Sequence, residues 1–143
     1  MRVMSIMAHQ DDCEFTIGGT LALLWIVHGA EIRILATSRG ASGHHEMATD
    51  DLFVRRQKEA ENAAAVIGAK YECLRRLDGS HEEMQVFPDR DTLGGLWNAI
   101  RAFEPDAVFC PPVITDPLAR IHVDHLNTAH AVRLAMSQIS VPN

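Results

Sequence analysis

Short apolar runs alternate with longer segments of helical period along this chain. Val3 to Ala8 is apolar and short, the pattern of a buried strand. Gly18-Gly19 then opens a segment, Thr20 to His28, in which Leu21, Leu24, Trp25 and His28 fall at helical spacing. Gly29 ends that helix. Glu31 to Ser38 (EIRILATS) reads as a second strand, and the long glycine-bearing loop SRGASGHHEMATDD follows it. Phe53 to Ile67 is the next predicted helix, with Ala60, Ala63, Ala64 and Ile67 as its small apolar stripe and Gly68 as its C-terminal cap. KYECLRRL reads as a weaker third strand, Leu93 to Phe103 as a helix, AVFCPP as a short fourth strand, and Asp124 to Ile139 as the last helix. Trp25, Trp97 and the methionines read as core, and RRQKEAENAA as a solvated helix face.

Strand and helix alternating four times predict an α/β fold with a doubly wound, mainly parallel, Rossmann-like sheet and helices on both faces, because parallel neighbours need a crossover helix between them. In the common strand order 3-2-1-4, strands 1 and 4 are neighbours at the topological switch point. Ligands bind there, outside the carboxyl ends of the strands. Polar residues after strand 1 should therefore be completed by those after strand 4.

Composition narrows the class. The chain has 143 residues, 47% apolar and 22% charged, which suits one soluble globular domain over residues 1–143. A formal net charge of -6, with thirteen Lys and Arg residues and no strong basic cluster, argues against nucleic-acid binding. Cys13, Cys73 and Cys110 are odd in number and far apart, so no disulfide framework is expected and a reducing cytoplasm is the simplest setting. No stretch approaches the ~20 apolar residues of a membrane span.

The chemistry concentrates in AHQDDCE, Ala8 to Glu14, directly after the first strand. One carboxylate here would serve as a helix N-cap, but three beside a histidine repel one another unless a cation sits among them. The segment after strand 4 supplies His122, Asp124 and His125, where the switch-point argument places partners for His9, Asp11 and Asp12. Two histidines and one carboxylate around an open fourth position is an arrangement catalytic zinc uses, and His9, Asp12 and His125 offer it. Cys13 has no dedicated base and reads as a spacer rather than a nucleophile. Gly18-Gly19-Thr20 lacks the full dinucleotide-binding fingerprint.

AHQDDCEFTIGGTLALL together with HVDH resembles the LmbE/PIG-L family of metal-dependent de-N-acetylases, with lesser echoes in TSRGASG, in the helix carrying Arg56 and Glu59, in LDG at Leu77 to Gly79, and in IRAFEPDAVFCPP. That resemblance implies a hydrolase acting on a small molecule, an N-acetylated amino sugar such as an N-acetylglucosamine conjugate. His9, Asp12 and His125 would hold Zn2+, or another divalent ion such as Fe2+. Asp11 would be the general base, His122 would assist the oxyanion, and Asp124 would steady His122. Arg56 and Asp78 would contact substrate, while His44 and His45 have a smaller claim to line the pocket. Gln10 stands where the family usually has proline, and Cys13 where a glutamate is common. Family members are usually longer, with C-terminal segments that help wall the pocket, so the chain is expected to be a fragment, the ordered part of a longer protein, or a form whose pocket is finished by another subunit in a homo-oligomer. A related zinc amidase on another acylamide or thiol conjugate, and a metal-binding module without turnover, are the competing readings.

Overall fold

The computed structural model describes residues 1–83, 85–113 and 122–139. Met84 and positions 114–121 of the predicted VITDPLARI loop lie outside them. The elements run β1 (Arg2–Met7), α1 (Asp12–Thr16), α2 (Gly18–His28), β2 (Glu31–Ala36), α3 (Thr49–Val66), β3 (Lys70–Cys73), α4 (Arg90–Phe103), β4 (Ala107–Phe109) and α5 (Val123–Ser137). The strands form one parallel sheet in the order β3-β2-β1-β4, as the sequence pattern predicts. No helix among the described residues is long and apolar enough to cross a membrane.

The inner strands read as unbroken apolar runs because both of their faces are covered. Val3, Met7, Ile32, Ile34 and Ala36 join Leu21 of α2 and Ala60 and Ala64 of α3 on one side. Met4, Ile6 and Leu35 meet Leu96, Ile100 and Phe103 of α4 and Ala131, Val132 and Ala135 of α5 on the other. Burial of each large apolar side chain contributes about 1.5–3 kcal/mol, so the two layers supply the main drive to fold. Ser5 is the one polar residue inside β1, and its hydroxyl donates to Cys13 Sγ at 3.5 Å, which docks α1 against the strand.

Register sets the level of the site. Met7, Ala36 and Cys73 end β1, β2 and β3 side by side, and Ser38 N–H extends the pairing to the Ala8 carbonyl. β4 pairs with β1 only from Val3 to Ser5, so the carboxyl end of β1 projects past its neighbour on that side. The N-terminus of α5 meets it there. A buried hydrogen bond of 2.7 Å between the Thr37 and Thr128 hydroxyls ties the end of β2 to the same helix.

Several boundaries differ from the predicted ones. A separate turn of helix, α1, forms over the acidic segment and is followed by α2. The third helix begins at Thr49, where Asp50 and Asp51 in its first turn complement the macrodipole. β3 stops at Cys73 because the chain turns away: Arg76 N–H donates to Ser80 O, and Leu77 N–H to Asp91 O. Gly68 follows α3 in the left-handed region at φ 62°, as its capping role requires. Trp25 is not core. It is 39% exposed, lying over Gly68, where a Cβ would come within 2.7 Å of the indole Nε1.

Gly94 and Gly95 sit side by side in α4 but meet different neighbours. A Cβ on Gly95 would lie 2.3 Å from the Arg75 carbonyl oxygen, whereas one on Gly94 would meet only the exposed Leu77 side chain at 3.1 Å. Gly95→Ala is therefore expected to destabilise by about 1–3 kcal/mol through overpacking against backbone. Gly94→Ala is expected to be neutral, or stabilising by up to about 1 kcal/mol through helix propensity. Urea unfolding midpoints of the two variants check the contrast, and equal effects would refute it.

Candidate active site at the carboxyl edge of the sheet

The two remote polar clusters meet. His9 leaves the end of β1, Asp12 begins α1, and His125 stands in the first turn of α5. One donor atom from each of the three lies within 4.8 Å of the others. Asp12 bridges the two imidazoles, with Oδ2 3.4 Å from His9 Nδ1 and Oδ1 3.0 Å from His125 Nε2. His9 N–H also donates to Asp12 Oδ2 at 2.8 Å, which fixes the carboxylate close to its own loop.

Asp124 holds the far side of His9. Its Oδ2 lies 3.1 Å from His9 Nε2, and its Oδ1 accepts from Val86 N–H at 2.9 Å. A carboxylate only accepts, so a protonated His9 can donate from Nε2 to Asp124 and from Nδ1 to Asp12, the Asp124 contact being the shorter. Such a carboxylate–histidine pair commonly orients a metal ligand. The expectation that Asp124 steadies His122 is revised in emphasis. Asp124 Oδ2 is 3.7 Å from His122 Nδ1, farther than from His9, and that Nδ1 instead accepts the Asp124 N–H at 3.2 Å to cap α5. Neutral His122 then carries its proton on Nε2. Its ring stands edge-on to His9 with centroids 4.8 Å apart.

The charges respond to this crowding. Burial opposes protonation of His9, but the hydrogen bonds and negative charges of Asp12 and Asp124 outweigh it and hold its pKa above the ordinary value. Burial likewise works against ionised Asp12, yet bonds from the His9 ring and N–H, with the charges of His125 and His9, bring its pKa below the usual range. Glu14 is raised by burial, with Asp11 and Asp12 adding to it. Burial also pushes the Cys13 thiol up to about 11, so it stays protonated and is no nucleophile at neutral pH.

A cavity of about 420 Å³ opens onto the cluster. His9, Asp11, Asp12, His122 and Asp124 line one side, and Ser38, Gly40, Ser42, Gly43, Arg56 and Glu83 line the other. Arg56 lines the cleft with Asp11 as its partner at 3.1 Å, while Glu59 pairs with Arg55 at 2.9 Å. His44 lines an adjoining hollow of about 350 Å³ with Asp11, Arg55 and Arg56, and His45 stacks on it. Asp78 is not brought to the cleft. It is fully exposed and accepts from the Ser80 N–H and hydroxyl, bonds that lower its pKa and close a local turn. A larger cavity of about 640 Å³ runs along the outer side of β3 between α3 and α4 and holds none of the cluster residues.

Sequence reasoning missed Glu83 and the buried role of Gln10. Glu83 accepts from Arg39 Nη1 at 2.7 Å while Asp50 accepts from Nη2 at 2.7 Å, so one guanidinium binds the loop after β3 to the start of α3. An arginine directly after a buried strand, needing acidic partners, was the available signal.

The profile of the PIG-L family, described as GlcNAc-PI de-N-acetylase, matches residues 4–136. No curated protein matches the chain. The solved structure of the 4-carboxy-2-hydroxymuconate hydratase GalB from Pseudomonas putida is 26% identical with a TM-score of 0.74, over 94% of this chain and 55% of that one. N,N'-diacetylchitobiose deacetylase from Pyrococcus horikoshii is 24% identical with a TM-score of 0.82, over 95% of this chain and 49% of that one. The zinc-inhibited form of a teicoplanin deacetylase is 21% identical with a TM-score of 0.66, over 96% and 64%. The chain thus spans about half to two thirds of the length of these proteins, and the two deacetylases share its fold. Carrying the family profile over residues 4–136 on this parallel sheet, the chain belongs to the PIG-L family of de-N-acetylases.

Proposed function

We propose that the protein is a zinc-dependent hydrolase that removes the acetyl group from an N-acetylated amino sugar or its conjugate. The observation that carries the reading is the convergence of His9, Asp12 and His125, with His9 held from behind by the buried carboxylate of Asp124. Two imidazoles and a carboxylate fit a divalent ion of zinc's ligand preference, and His9 and Asp12 line the cleft. When bound there, zinc supplies a Lewis acid that polarises a carbonyl and makes water a nucleophile near neutral pH.

The remaining steps belong to the chain's own groups. Asp11 lies beside the donors without joining them, its side chain 59% exposed toward the cleft, and it takes the proton of the attacking water. His122, with its proton on Nε2, donates to the oxygen that gains charge as the amide carbonyl becomes tetrahedral. Collapse releases acetate, and the departing amine receives its proton from Asp11 or His122. The opposite wall, with Ser38, Ser42, Glu83 and Arg56, offers hydroxyls and charges suited to a polyhydroxyl substrate.

Acetate release from a panel of N-acetylglucosamine conjugates, with protein stripped of metal and reloaded with zinc, is expected to depend on zinc. Zinc binding without acetate release from any member would overturn the deacetylase reading. Likeness to GalB favours a second reading, hydration, which adds water to a substrate without releasing acetate; an unsaturated hydroxy acid in the same panel separates the two.

Asp11→Asn is expected to retain zinc and lose roughly 10²- to 10⁴-fold in rate. His125→Ala should lose zinc as well as activity, and metal analysis after dialysis distinguishes the variants. Equal zinc loss in both would make Asp11 a ligand rather than the base.

A further inference from the structure

Gln10 lies between His9 and Asp11 in the chain, yet its side chain turns inward and the residue is only 4% exposed. Its Nε2 donates to the Arg39 carbonyl in the loop after β2, while its Oε1 is buried without a hydrogen-bond partner. Gly40, the next residue of that loop, has φ 58°. A Cβ on Gly40 would lie 2.2 Å from Gln10 Oε1 and 2.9 Å from Arg56 Nη1, so the amide oxygen and the guanidinium flank one point above the glycine. Arg56 in turn donates from Nη1 to the Gly40 carbonyl at 3.2 Å and from Nη2 to Asp11 Oδ1 at 3.1 Å.

These contacts close a ring. It runs from Gln10 along the backbone to Asp11, across the ion pair to Arg56, through the Gly40 carbonyl to Arg39, and back to the Gln10 amide. An ion pair to a carboxylate as exposed as Asp11 holds a long arginine weakly by itself. The buried end of the ring is firmer, because the Gln10 amide cannot give up the Arg39 carbonyl without leaving its donor unsatisfied. Gly40 must stay glycine for both reasons at once, its left-handed backbone and the space that the amide and the guanidinium occupy.

We infer that Gln10 is a positioning residue: it clamps the Arg39-Gly40 corner and so fixes the Arg56 guanidinium that holds Asp11 at the cleft. The ring itself stands on geometry, whereas its consequence for turnover rests on the proposed role of Asp11. Gln10 touches neither the cleft nor the metal donors through its side chain, and its effect reaches the reaction only through Arg56.

The experiment compares Gln10→Ala, Arg56→Ala and the double variant in the zinc-loaded full chain, using three readouts. Gln10→Ala is expected to keep zinc affinity, lower kcat roughly 10- to 100-fold through misplacement of Asp11, and add nothing to the loss already present in Arg56→Ala. Independent losses, or zinc affinity falling in step with activity, would overturn the inference. The second readout needs no turnover: the Arg56 Nε–H resonance, assigned by its disappearance in Arg56→Ala, should move in Gln10→Ala, and an unmoved resonance overturns the inference. The third approaches from Gly40. Gly40→Ala should lower the thermal midpoint less in the Gln10→Ala background than alone, since the 2.2 Å contact is then gone, and additive losses would refute the contact. Should the parent protein release no acetate, the deacetylase reading fails while the resonance and the stability cycle still decide for or against the ring.

Discussion

The site depends on one buried carboxylate. Asp124 is 3% exposed, and a charge so placed is tolerated only where fixed donors replace water. The carboxylate and its two donors come from three separate parts of the chain. Val86 N–H belongs to the loop before α4, His9 Nε2 to the end of β1, and the carboxylate itself stands in the first turn of α5, where the macrodipole favours a negative charge. Asn127, one turn further along α5, donates to the Val86 carbonyl at 2.7 Å and braces the same junction. Packing of α5 on β1 and α4 therefore brings the imidazole centroids of His9 and His125 to within 5.3 Å.

That constraint also explains why the acidic stretch after β1 is tolerable. Asp12 is answered by His9 and His125, Asp11 by Arg56, and Asp124 by His9 and a backbone amide. The positive partners come from two histidines and one arginine, each reaching across from a different element. Against burial, the negative charges of Asp12 and Asp124 hold the His9 pKa above its ordinary value, which favours a positive charge at this point. A divalent ion would supply that charge, and both imidazoles would then offer lone pairs instead of protons.

Much of this was legible in the sequence, for physical reasons that differ between parts. Strand order followed from four apolar runs separated by helices, because handedness and crossover leave few alternatives. His9, Asp12 and His125 were legible as types and places, since the carboxyl ends of strands 1 and 4 had to adjoin. Trp25 was misread because α2 is apolar all round, so its period did not say which side faces the sheet. Leu21 is buried whereas Leu23, Ile26 and Val27 are exposed. Asp78 was misplaced for a different reason: β3 ends at Cys73, and the turn that follows carries Asp78 away from the cleft. The backbone partners of Asp124 and Gln10 were not legible, because the Val86 amide lies 38 residues from Asp124 and the Arg39 carbonyl 29 from Gln10, both in loops that carry no periodic pattern.

A shared fold with both deacetylases and a hydratase separates what the scaffold provides from what the walls decide. The scaffold provides a projecting β1 terminus beside a short β4, and hence a place where donors from two βα loops can surround an ion and a water. What a substrate would meet there depends on the groups that face this place. Those groups lie on the opposite wall, from Ser38 to Gly43 and at Arg56 and Glu83, all in segments outside the sheet. Arg56 links the two functions, since one of its nitrogens fixes the loop through Gly40 and another fixes Asp11. A change in the wall that displaced Gly40 would therefore alter the placement of Asp11, the base of the proposed reaction, together with the shape of the pocket, and under that proposal substrate choice and reactivity would shift as one property.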